Sequence, residues 1–436
     1  MAAETLHSIL EWYLINGRII LDYFHFTFDK IFYIFLYITM AFTCIYLIFL
    51  VFSIFSKKEY QEKELDISKA PFVTVQIPTR NEIIALRCAE NCLKQDYPKD
   101  RYEILIGDDS DKPEISKQLV EFANNHEQVS VYKREKNIGF KPGNLNNLLK
   151  YSKGDILVLF DSDFAPGKDF LKRIVEPFLR DEQISAVQAR WNFSNFNQNL
   201  VTIMASTIVY MFHHVSLSIL KIFDTSSLCG SAEAVRKKDL IELGGWRSGS
   251  LTEDIEYTLR LDLAGKKLVY LPKLECYSDV PFKLKDLCRQ QMRWAYGVIN
   301  SYIIHFRSLV SSKKLSAWDK LLSMVHGLGY IPPVLILLLF MFGTLSFVTH
   351  PPAPIDLSKF FSKLGINILM TSGLIIASIY SLYRAKKSKY ILKMIASSFT
   401  VGIVTTFYVN KGILKSILGK PMEWYLLTKN VKYIKE

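Results

Sequence analysis

The 436-residue sequence lacks the short motifs that identify the commonest metal and phosphate sites. Its six cysteines include no C-x-x-C pair and have no histidine repeat nearby, which excludes a zinc site and a dense disulfide framework. Cys88 and Cys92, four residues apart on a predicted helix, are interpreted as small buried side chains. No G-x-G-x-x-G follows the first predicted strand and no G-x-x-x-x-G-K-[ST] occurs, so a bound phosphate needs other partners.

Charge is plentiful but unevenly distributed. The sequence has 54 Lys+Arg against 42 Asp+Glu, a formal net charge of +12, and half of its residues are hydrophobic. A charged fraction of 22% together with 13% aromatic residues excludes a disordered chain. The slightly positive mean hydropathy therefore predicts membrane segments beside a soluble domain. The basic excess is compatible with nucleic acid, an anionic membrane face or a phosphorylated substrate.

The longest apolar run predicts a membrane span. Residues 32–55 contain no charge, and as a helix they measure about 36 Å, which exceeds a hydrocarbon core of about 30 Å. Residues 1–31 mix apolar and charged side chains and predict an amphipathic, interfacial segment. No comparable run lies between Ser56 and Ser323. Three further spans are predicted in the C-terminal part, at 324–347, 365–383 and 390–409.

These runs divide the chain into segments. After the first span come a soluble domain at 56–283, interfacial helices at 284–323, the spans within 324–409 and a basic tail at 410–436. Lysines crowd the exits of the first and third spans, which predicts a cytoplasmic soluble domain. The lysines of the tail disagree with this topology. Either one predicted span is an interfacial helix or a hairpin, or the tail breaks the rule.

The soluble segment begins with strands that alternate with helices, which predicts a largely parallel α/β sheet. Ligands bind outside the carboxyl ends of the strands in such sheets. Polar clusters follow three of the predicted strands, at Thr79–Glu82, Asp108–Asp111 and Asp161–Asp163. The predicted strands are 72–77, ended by Pro78, then 102–106, 129–132 and 156–160; the predicted helices are 83–93, 115–125 and 144–151.

Several motifs occur in a fixed order along the chain. They are Pro78-Thr79-Arg80-Asn81-Glu82, Asp108-Asp109-Ser110-Asp111, Lys141-Pro142-Gly143-Asn144-Leu145-Asn146, Asp161-Ser162-Asp163, Val187-Gln188-Ala189-Arg190-Trp191, Gly230-Ser231-Ala232 with Arg236, Thr252-Glu253-Asp254 and Gln290-Gln291-Met292-Arg293-Trp294. These motifs resemble those of the family-2 glycosyltransferases of the GT-A fold, in the membrane-embedded branch that contains cellulose, chitin, hyaluronan and mannan synthases. The final segment 423–429 is loosely similar to an E-W-x-x-T-x-K ending.

The resemblance implies a site for a nucleotide sugar. Asp109 is expected to accept hydrogen bonds from the edge of uracil or guanine, beside Thr79 and Glu82. Lys141 is expected to face the pyrophosphate as a point charge. Gly143 is expected to allow close approach of the backbone.

The D-x-D residues imply a cofactor, Mg²⁺ or Mn²⁺, because these ions prefer oxygen ligands and bridge diphosphates. Asp163 is expected to bind the metal, with Asp161 as a second ligand or directed towards the ribose. A plain acidic turn after a strand is the simpler interpretation of this tripeptide alone. Asp108 is interpreted as a solvated turn residue.

The remaining motifs imply catalysis and acceptor binding. Asp254, next to Glu253, is expected to act as the general base that deprotonates the acceptor hydroxyl. Thr252 is in addition predicted to cap the following helix, with the acids in its first turn. The resemblance implies a donor contact for two residues of the last motif, Gln290 and Arg293, and acceptor stacking for the two tryptophans, Trp191 and Trp294.

The predicted function is an inverting, membrane-bound transferase that takes a sugar from a UDP- or GDP-sugar and extends a β-linked polysaccharide, with processive transfer through its own spans. A single transfer to a lipid acceptor is the first alternative. A non-catalytic membrane scaffold is the second. Membrane lipid is an expected partner and nucleic acid is not, because the lysines crowd the membrane edges and no recognition motif occurs. The sequence leaves the donor sugar, the linkage and the oligomeric state open.

Overall fold

The computed structural model describes residues 2–55, 60–350 and 356–428. The chain forms two compact units. One contains residues 1–51 and 329–377, and the other contains residues 52–328 and 378–436. The second unit carries the β-sheet and all of the motifs named above.

Among the described residues, eight strands form a single mixed sheet in the order β3-β2-β1-β4-β7-β6-β8-β5. The first four strands in this order are mutually parallel, whereas β7 is antiparallel to both of its neighbours. The predicted α/β fold is confirmed: β3, β2, β1 and β4 form a continuous parallel half, and β6 and β8 form a further parallel pair in the other half. The strands are β1 (Val73–Thr79), β2 (Tyr102–Asp108), β3 (Val129–Lys133), β4 (Ile156–Leu159), β5 (Ala165–Pro166), β6 (Ile184–Phe193), β7 (Glu233–Arg236) and β8 (Lys267–Ser278).

Strand β1 does not end at Pro78, as the sequence predicted, but continues to Thr79. Proline has no N–H, so it is tolerated in a strand only where no partner needs that donor. The pairing of β1 with β4 stops at Gln76 and Leu159. Pro78 lies beyond that point and pairs with β2 alone, opposite Gly107.

Helices cover both faces of the sheet. On one face α2 and α5 bury Cys88, Cys92 and Ile174, which confirms that these two cysteines are small core residues. On the other face α4 and α9 bury Leu145 and Tyr257. Each fully buried aliphatic side chain contributes about 1.5–3 kcal/mol. The helices are α1 (Ala2–Phe55), α2 (Ala85–Leu93), α3 (Pro113–Asn124), α4 (Phe140–Leu149), α5 (Phe170–Arg180), α6 (Leu200–Met211), α7 (Leu217–Ile222), α8 (Lys237–Glu242), α9 (Glu253–Ala264), α10 (Leu284–Ser311), α11 (Ala317–Gly327), α12 (Ile331–Thr349), α13 (Leu357–Met370), α14 (Gly373–Arg384), α15 (Ile391–Ser397) and α16 (Ile403–Ile417), with shorter 3₁₀ or π turns at Ile67–Lys69, Phe212–Ser216, Leu328–Tyr330, Ser388–Tyr390 and Ser398–Gly402.

Four helical stretches in the described part of the chain are long and apolar enough to cross a membrane, or five if the bent pair α13–α14 counts as one span. That pair bends by 56°. Helix α1 runs continuously through both the predicted interfacial segment and the first predicted span, so the boundary between them stays a prediction. The four stretches are Leu10–Phe52, Leu200–Ile222, Ile331–Thr349 and Ser388–Ile417.

The stretch Leu200–Ile222 contradicts the expectation that no such run lies between Ser56 and Ser323. Its most apolar window is 67% buried inside the protein. Hydropathy alone does not distinguish a helix buried in a protein core from one surrounded by lipid. The run is therefore present, and its burial sets it apart from the other three stretches, whose windows are 11–28% buried.

Candidate active site

Polar residues from separate strand ends meet at one edge of the sheet. Thr79, the last residue of β1, lies opposite Asp108 of β2, and Asp161 follows shortly after β4. The turns after β1 and β4 are also linked directly, because the Ser162 hydroxyl donates a hydrogen bond to Glu82 Oε2. The buried Thr79 hydroxyl donates to the main-chain carbonyl of Glu82 (3.3 Å).

Asp109 is held by a residue that the sequence analysis missed. The Arg134 guanidinium donates to both carboxylate oxygens of Asp109, at 2.7 Å from Nε and 2.5 Å from Nη2. Arg134 also donates to the main-chain carbonyl of Ile138 (2.8 Å). Such a two-pronged, charge-assisted pair fixes the carboxylate plane. The available signal was position, since Arg134 directly follows β3 and so belongs to the same sheet edge.

The prediction that Asp108 is a solvated turn residue is wrong. Its side chain is completely buried. One carboxylate oxygen accepts from the Ser110 amide (2.8 Å), and the other accepts from the Ser116 hydroxyl. Asp108 therefore shapes the turn from inside, which a count of polar residues in sequence does not show.

Lys141 lies at the centre of the site. Its Nζ contacts Asp161 Oδ1 at 2.7 Å and Glu253 Oε1 at 2.9 Å, and it donates a hydrogen bond to the Gly230 carbonyl. Burial by itself lowers the Lys141 pKa, but the charges of Asp161 and Glu253 outweigh that effect and raise the pKa above its ordinary value. Lys141 is therefore charged, and it joins the residues after β4 to the start of α9.

Two buried acids lie close to this lysine. Burial, followed by the charge of Glu253, raises the pKa of Asp254 to about 7. Burial and the charge of Asp254 raise the pKa of Glu233 to about 8. The sequence analysis missed Glu233, although it lies two residues after the Gly230-Ser231 motif. A carboxyl group with a pKa near neutrality is suited to proton transfer.

Asp254 lies against Gly230. A Cβ at Gly230 would stand 3.4 Å from Asp254 Oδ2 and 3.6 Å from Lys141 Nζ, and the φ angle of Gly230 is +85°. This conformation favours glycine. The absence of a side chain keeps the space beside both charged groups open.

The helix-cap prediction for Thr252 is wrong in one respect. Helix α9 begins at Glu253 and carries three acids in its first turn, as expected, but the Thr252 side chain makes no capping hydrogen bond. Its hydroxyl lies 3.5 Å from Ser301 Oγ on α10 instead. Packing against α10 thus replaces the cap.

The tail packs against the last motif. Arg293 donates to the Leu251 carbonyl (2.6 Å), and its Cζ lies 4.2 Å from the centre of the Trp424 ring. The Trp424 ring also stacks with Phe140, the residue just before Lys141, with ring centres 6.0 Å apart. The loosely matching tail therefore reaches the site. Gln290 is half-buried on α10, and the half-buried Trp294 packs against the core.

Trp191 is only 9% exposed. Its indole Nε1 donates to the Ser231 carbonyl (2.9 Å), and its ring packs edge-on against Phe164. The Ser231 hydroxyl in turn accepts from the Asp161 amide (2.8 Å). Trp191 thus supports the loop behind Asp161, and its contact with an acceptor stays a prediction.

The D-x-D pair fits a divalent cation by its donor chemistry. Within the described ranges, no three His, Cys, Asp or Glu side chains form a cluster able to hold a metal ion. Mg²⁺, however, is commonly bound by one or two carboxylates together with substrate phosphates. Asp161 is 37% exposed at its side chain, whereas Asp163 is buried and its main-chain carbonyl accepts from Arg87 (2.9 Å).

Gly143 is tightly enclosed, and we expect Gly143→Ala to be destabilising. A Cβ there would lie 2.1 Å from the Ile138 carbonyl oxygen and 2.9 Å from Arg134 Nη1. Overpacking of this kind costs about 1–3 kcal/mol, and relief by moving Arg134 would loosen Asp109. Thermal unfolding and nucleotide binding are the measurements. Gly167→Ala, whose Cβ would meet Asp169 Oδ1 at 3.4 Å, is the control, and equal losses in both variants would contradict the steric account.

The fold has a counterpart among solved structures. A mannosyltransferase from Pyrobaculum calidifontis, determined in complex with GDP-Man and Mn²⁺, superimposes with a TM-score of 0.60 at 17% sequence identity. The superposition covers 92% of this chain and all of that one. The mixed sheet with an acidic cluster at its edge thus has a GT-A-like fold.

The chain belongs to the family described as "Glycosyltransferase like family 2", which matches residues 70–297. A glucomannan 4-beta-mannosyltransferase 2 of Arabidopsis thaliana is 33% identical over 275 residues, covering 60% of this chain and 51% of the relative. A glucomannan 4-beta-mannosyltransferase 1 of Oryza sativa subsp. japonica is 31% identical over 274 residues, covering 60% and 52%. The chain spans about half the length of the curated relatives it matches.

Proposed function

We propose that the protein transfers a hexose, with mannose from GDP-mannose as the first candidate, to a growing β-linked polysaccharide. The observation that carries this proposal is the buried pairing of a base with a cation at the sheet edge, Asp254 and Lys141, both of which lie beside Gly230. The named mannosyltransferase relatives and the GDP-Man in the structural counterpart support the choice of sugar and nucleotide.

Transfer requires stabilisation of a departing diphosphate. Lys141 is the buried cation beside Asp161, and a fixed charge in a water-poor site stabilises developing negative charge more strongly than one in solvent. Asp163, with Asp161, would hold a divalent ion. That ion would supply additional charge neutralisation at the diphosphate.

The acceptor hydroxyl must lose its proton as it attacks the anomeric carbon. In the proposed single displacement the new bond forms between the acceptor oxygen and that carbon, and the bond to the diphosphate breaks. Asp254 takes the proton. One displacement inverts the anomeric configuration, which gives a β-linkage from an α-linked donor.

The site is proposed to face the cytoplasm, where nucleotide sugars are available, with the product passing through the C-terminal spans. A single transfer to a lipid acceptor remains the alternative outcome. The two differ in the product and not in the chemistry of the site.

The test uses the full chain, purified in detergent and in lipid nanodiscs, with GDP-mannose, UDP-glucose and UDP-N-acetylglucosamine supplied separately with Mn²⁺ or Mg²⁺. We expect nucleotide release and a labelled product of high molecular weight from GDP-mannose. A chelator should abolish nucleotide release, and the Asp163→Asn variant should need a far higher metal concentration for the same rate of release. The matched control is Asp169→Asn, at an exposed acid near the D-x-D.

Each outcome has a definite meaning. A polymer from a UDP-sugar alone would overturn the choice of donor. A product carrying one sugar on lipid would replace polysaccharide extension with glycolipid synthesis. No release from any donor, by protein that still binds nucleotide, would contradict the proposed activity.

A further inference from the structure

Glu233 is a fully buried carboxyl group at the first position of β7. Its Oε2 accepts hydrogen bonds from two successive amides, Gly230 N at 2.8 Å and Cys229 N at 3.2 Å. Its Oε1 has no hydrogen-bond partner in the described part of the chain. Burying a carboxyl group with one oxygen unsatisfied costs free energy.

Glu233 holds residues 229–231, a segment that lies beside the charged groups of the site. The Gly230 carbonyl accepts from Lys141, and the Gly230 Cα lies against the Asp254 carboxylate. The next residue, Ser231, accepts from the Asp161 amide through its hydroxyl. A shift of this segment would therefore move Lys141 relative to Asp254.

Other supports hold only the flanks of this segment. Gln188 accepts from the Cys229 amide (2.8 Å) and donates to the Ser231 carbonyl (3.0 Å), and Trp191 donates to the same carbonyl. The Gly230 amide, in contrast, is held by Glu233. The position of the glycine between Lys141 and the base thus depends on this carboxylate.

We infer that Glu233 is a positioning residue for sugar transfer: its carboxyl group fixes Gly230 so that Lys141 and Asp254 keep their places at the reacting centre. This inference rests on the proposed function. Glu233 itself makes no contact with donor or acceptor in this account. It acts through the main chain, and its oxygen acceptor matters more than its charge.

Two variants separate the acceptor from the charge. Glu233→Gln removes the acidic group but keeps a side-chain oxygen that can accept hydrogen bonds from the Gly230 and Cys229 amides. Glu233→Met keeps a side chain of similar size but has no oxygen to accept these hydrogen bonds. Misplacement of catalytic groups by about 1 Å lowers rates about 100-fold. We therefore expect kcat to fall about 10- to 100-fold in Glu233→Met and by less than about fivefold in Glu233→Gln. KM for the donor should change little, because the Asp109–Arg134 pair belongs to the turns after β2 and β3 and not to the segment that Glu233 holds.

A second measurement does not require activity. Release of the loop should expose the half-buried Cys229 thiol further to alkylation, because modification of a partly protected group follows the population of the locally open state. We expect alkylation of Cys229, followed by mass spectrometry, to be about tenfold faster or more in Glu233→Met and nearly unchanged in Glu233→Gln. Cys88, which is completely buried, is the internal reference for global unfolding.

The matched control is Glu176→Met, at another buried acid of the same domain, bonded to Tyr60 (3.1 Å) and paired with Arg180 (3.4 Å). It should lower thermal stability without changing kcat per folded molecule or Cys229 alkylation. Unchanged alkylation in Glu233→Met, or equal loss of kcat in both Glu233 variants, would overturn the inference. An inactive wild-type protein would instead contradict the proposed function, and the alkylation rates would still decide whether Glu233 holds the loop.

Discussion

Replacing Asp254 by asparagine is expected to lower kcat for sugar transfer by about 1,000-fold, within the range of 10²–10⁴ typical of a lost general base. Asparagine has nearly the same shape but cannot accept the proton of the acceptor hydroxyl. Nucleotide affinity should stay within about threefold of wild type, because the Asp109–Arg134 pair remains intact. Nucleotide release and equilibrium nucleotide binding are the two measurements. Loss of binding in parallel with activity would show that Asp254 supports the donor site and not the proton transfer.

The pH dependence provides the control for this assignment. The pKa of Asp254 is raised to about 7, chiefly by burial and then by the charge of Glu253. Only the deprotonated carboxylate can accept a proton, so kcat/KM of the wild type should fall about tenfold per pH unit below about pH 7. The residual activity of Asp254→Asn should lack this acidic limb. An unchanged limb in the variant would assign it to another group.

Replacing Lys141 by methionine is expected to cause the largest loss of stability in the catalytic domain. The lysine separates two carboxylates, at 2.7 Å from Asp161 and 2.9 Å from Glu253. Removal of one partner from a buried ion pair typically costs about 3–5 kcal/mol, because Glu253 stays buried and uncompensated, whereas Asp161 is 37% exposed. Activity should disappear as well, since the cation beside the departing diphosphate is lost. Thermal or denaturant unfolding and nucleotide release measure the two effects.

A second substitution separates these effects. Adding Glu253→Gln to Lys141→Met removes one of the uncompensated charges, so part of the stability should return while transfer stays absent. Lys172→Met is the matched control, because Lys172 pairs with the exposed Asp96 at 2.5 Å. Exposed pairs contribute about 0–1 kcal/mol. Full recovery of activity in the double variant would contradict the role given to Lys141.

The α/β pattern and the polar strand ends could be predicted because each depends on local sequence. Strand alternation identified β1 to β4, and parallel strands carry the residues that follow them to a common edge. Arg134 and Glu233 were not predicted because the role of each depends on the partner that its side chain reaches in the folded chain. Arg134 binds Asp109, 25 residues away, and Glu233 accepts from the Gly230 amide, three residues away. In sequence, neither side chain differs from a surface charge.

Burial also bears on two expectations that the structure contradicts. Asp108 looks like a turn residue in sequence, yet its oxygens bond inward to Ser110 and Ser116. No long apolar run was expected between Ser56 and Ser323, yet Leu200–Ile222 is such a run, and 67% of its most apolar window is covered by protein. Burial is a property of the folded chain, and hydropathy reports only the preference for leaving water.

The position of Trp424 between Arg293 and Phe140 has a consequence for biosynthesis. A ribosome makes the sheet, Lys141 and Asp254 long before it makes Trp424, and the candidate membrane stretches Ile331–Thr349 and Ser388–Ile417, with the bent pair α13–α14, emerge in between. The Trp424 ring is therefore added to the site after these helices. A nascent chain that has released only its sheet domain still lacks Trp424, so the site is completed only after the C-terminal candidate membrane helices have been synthesised.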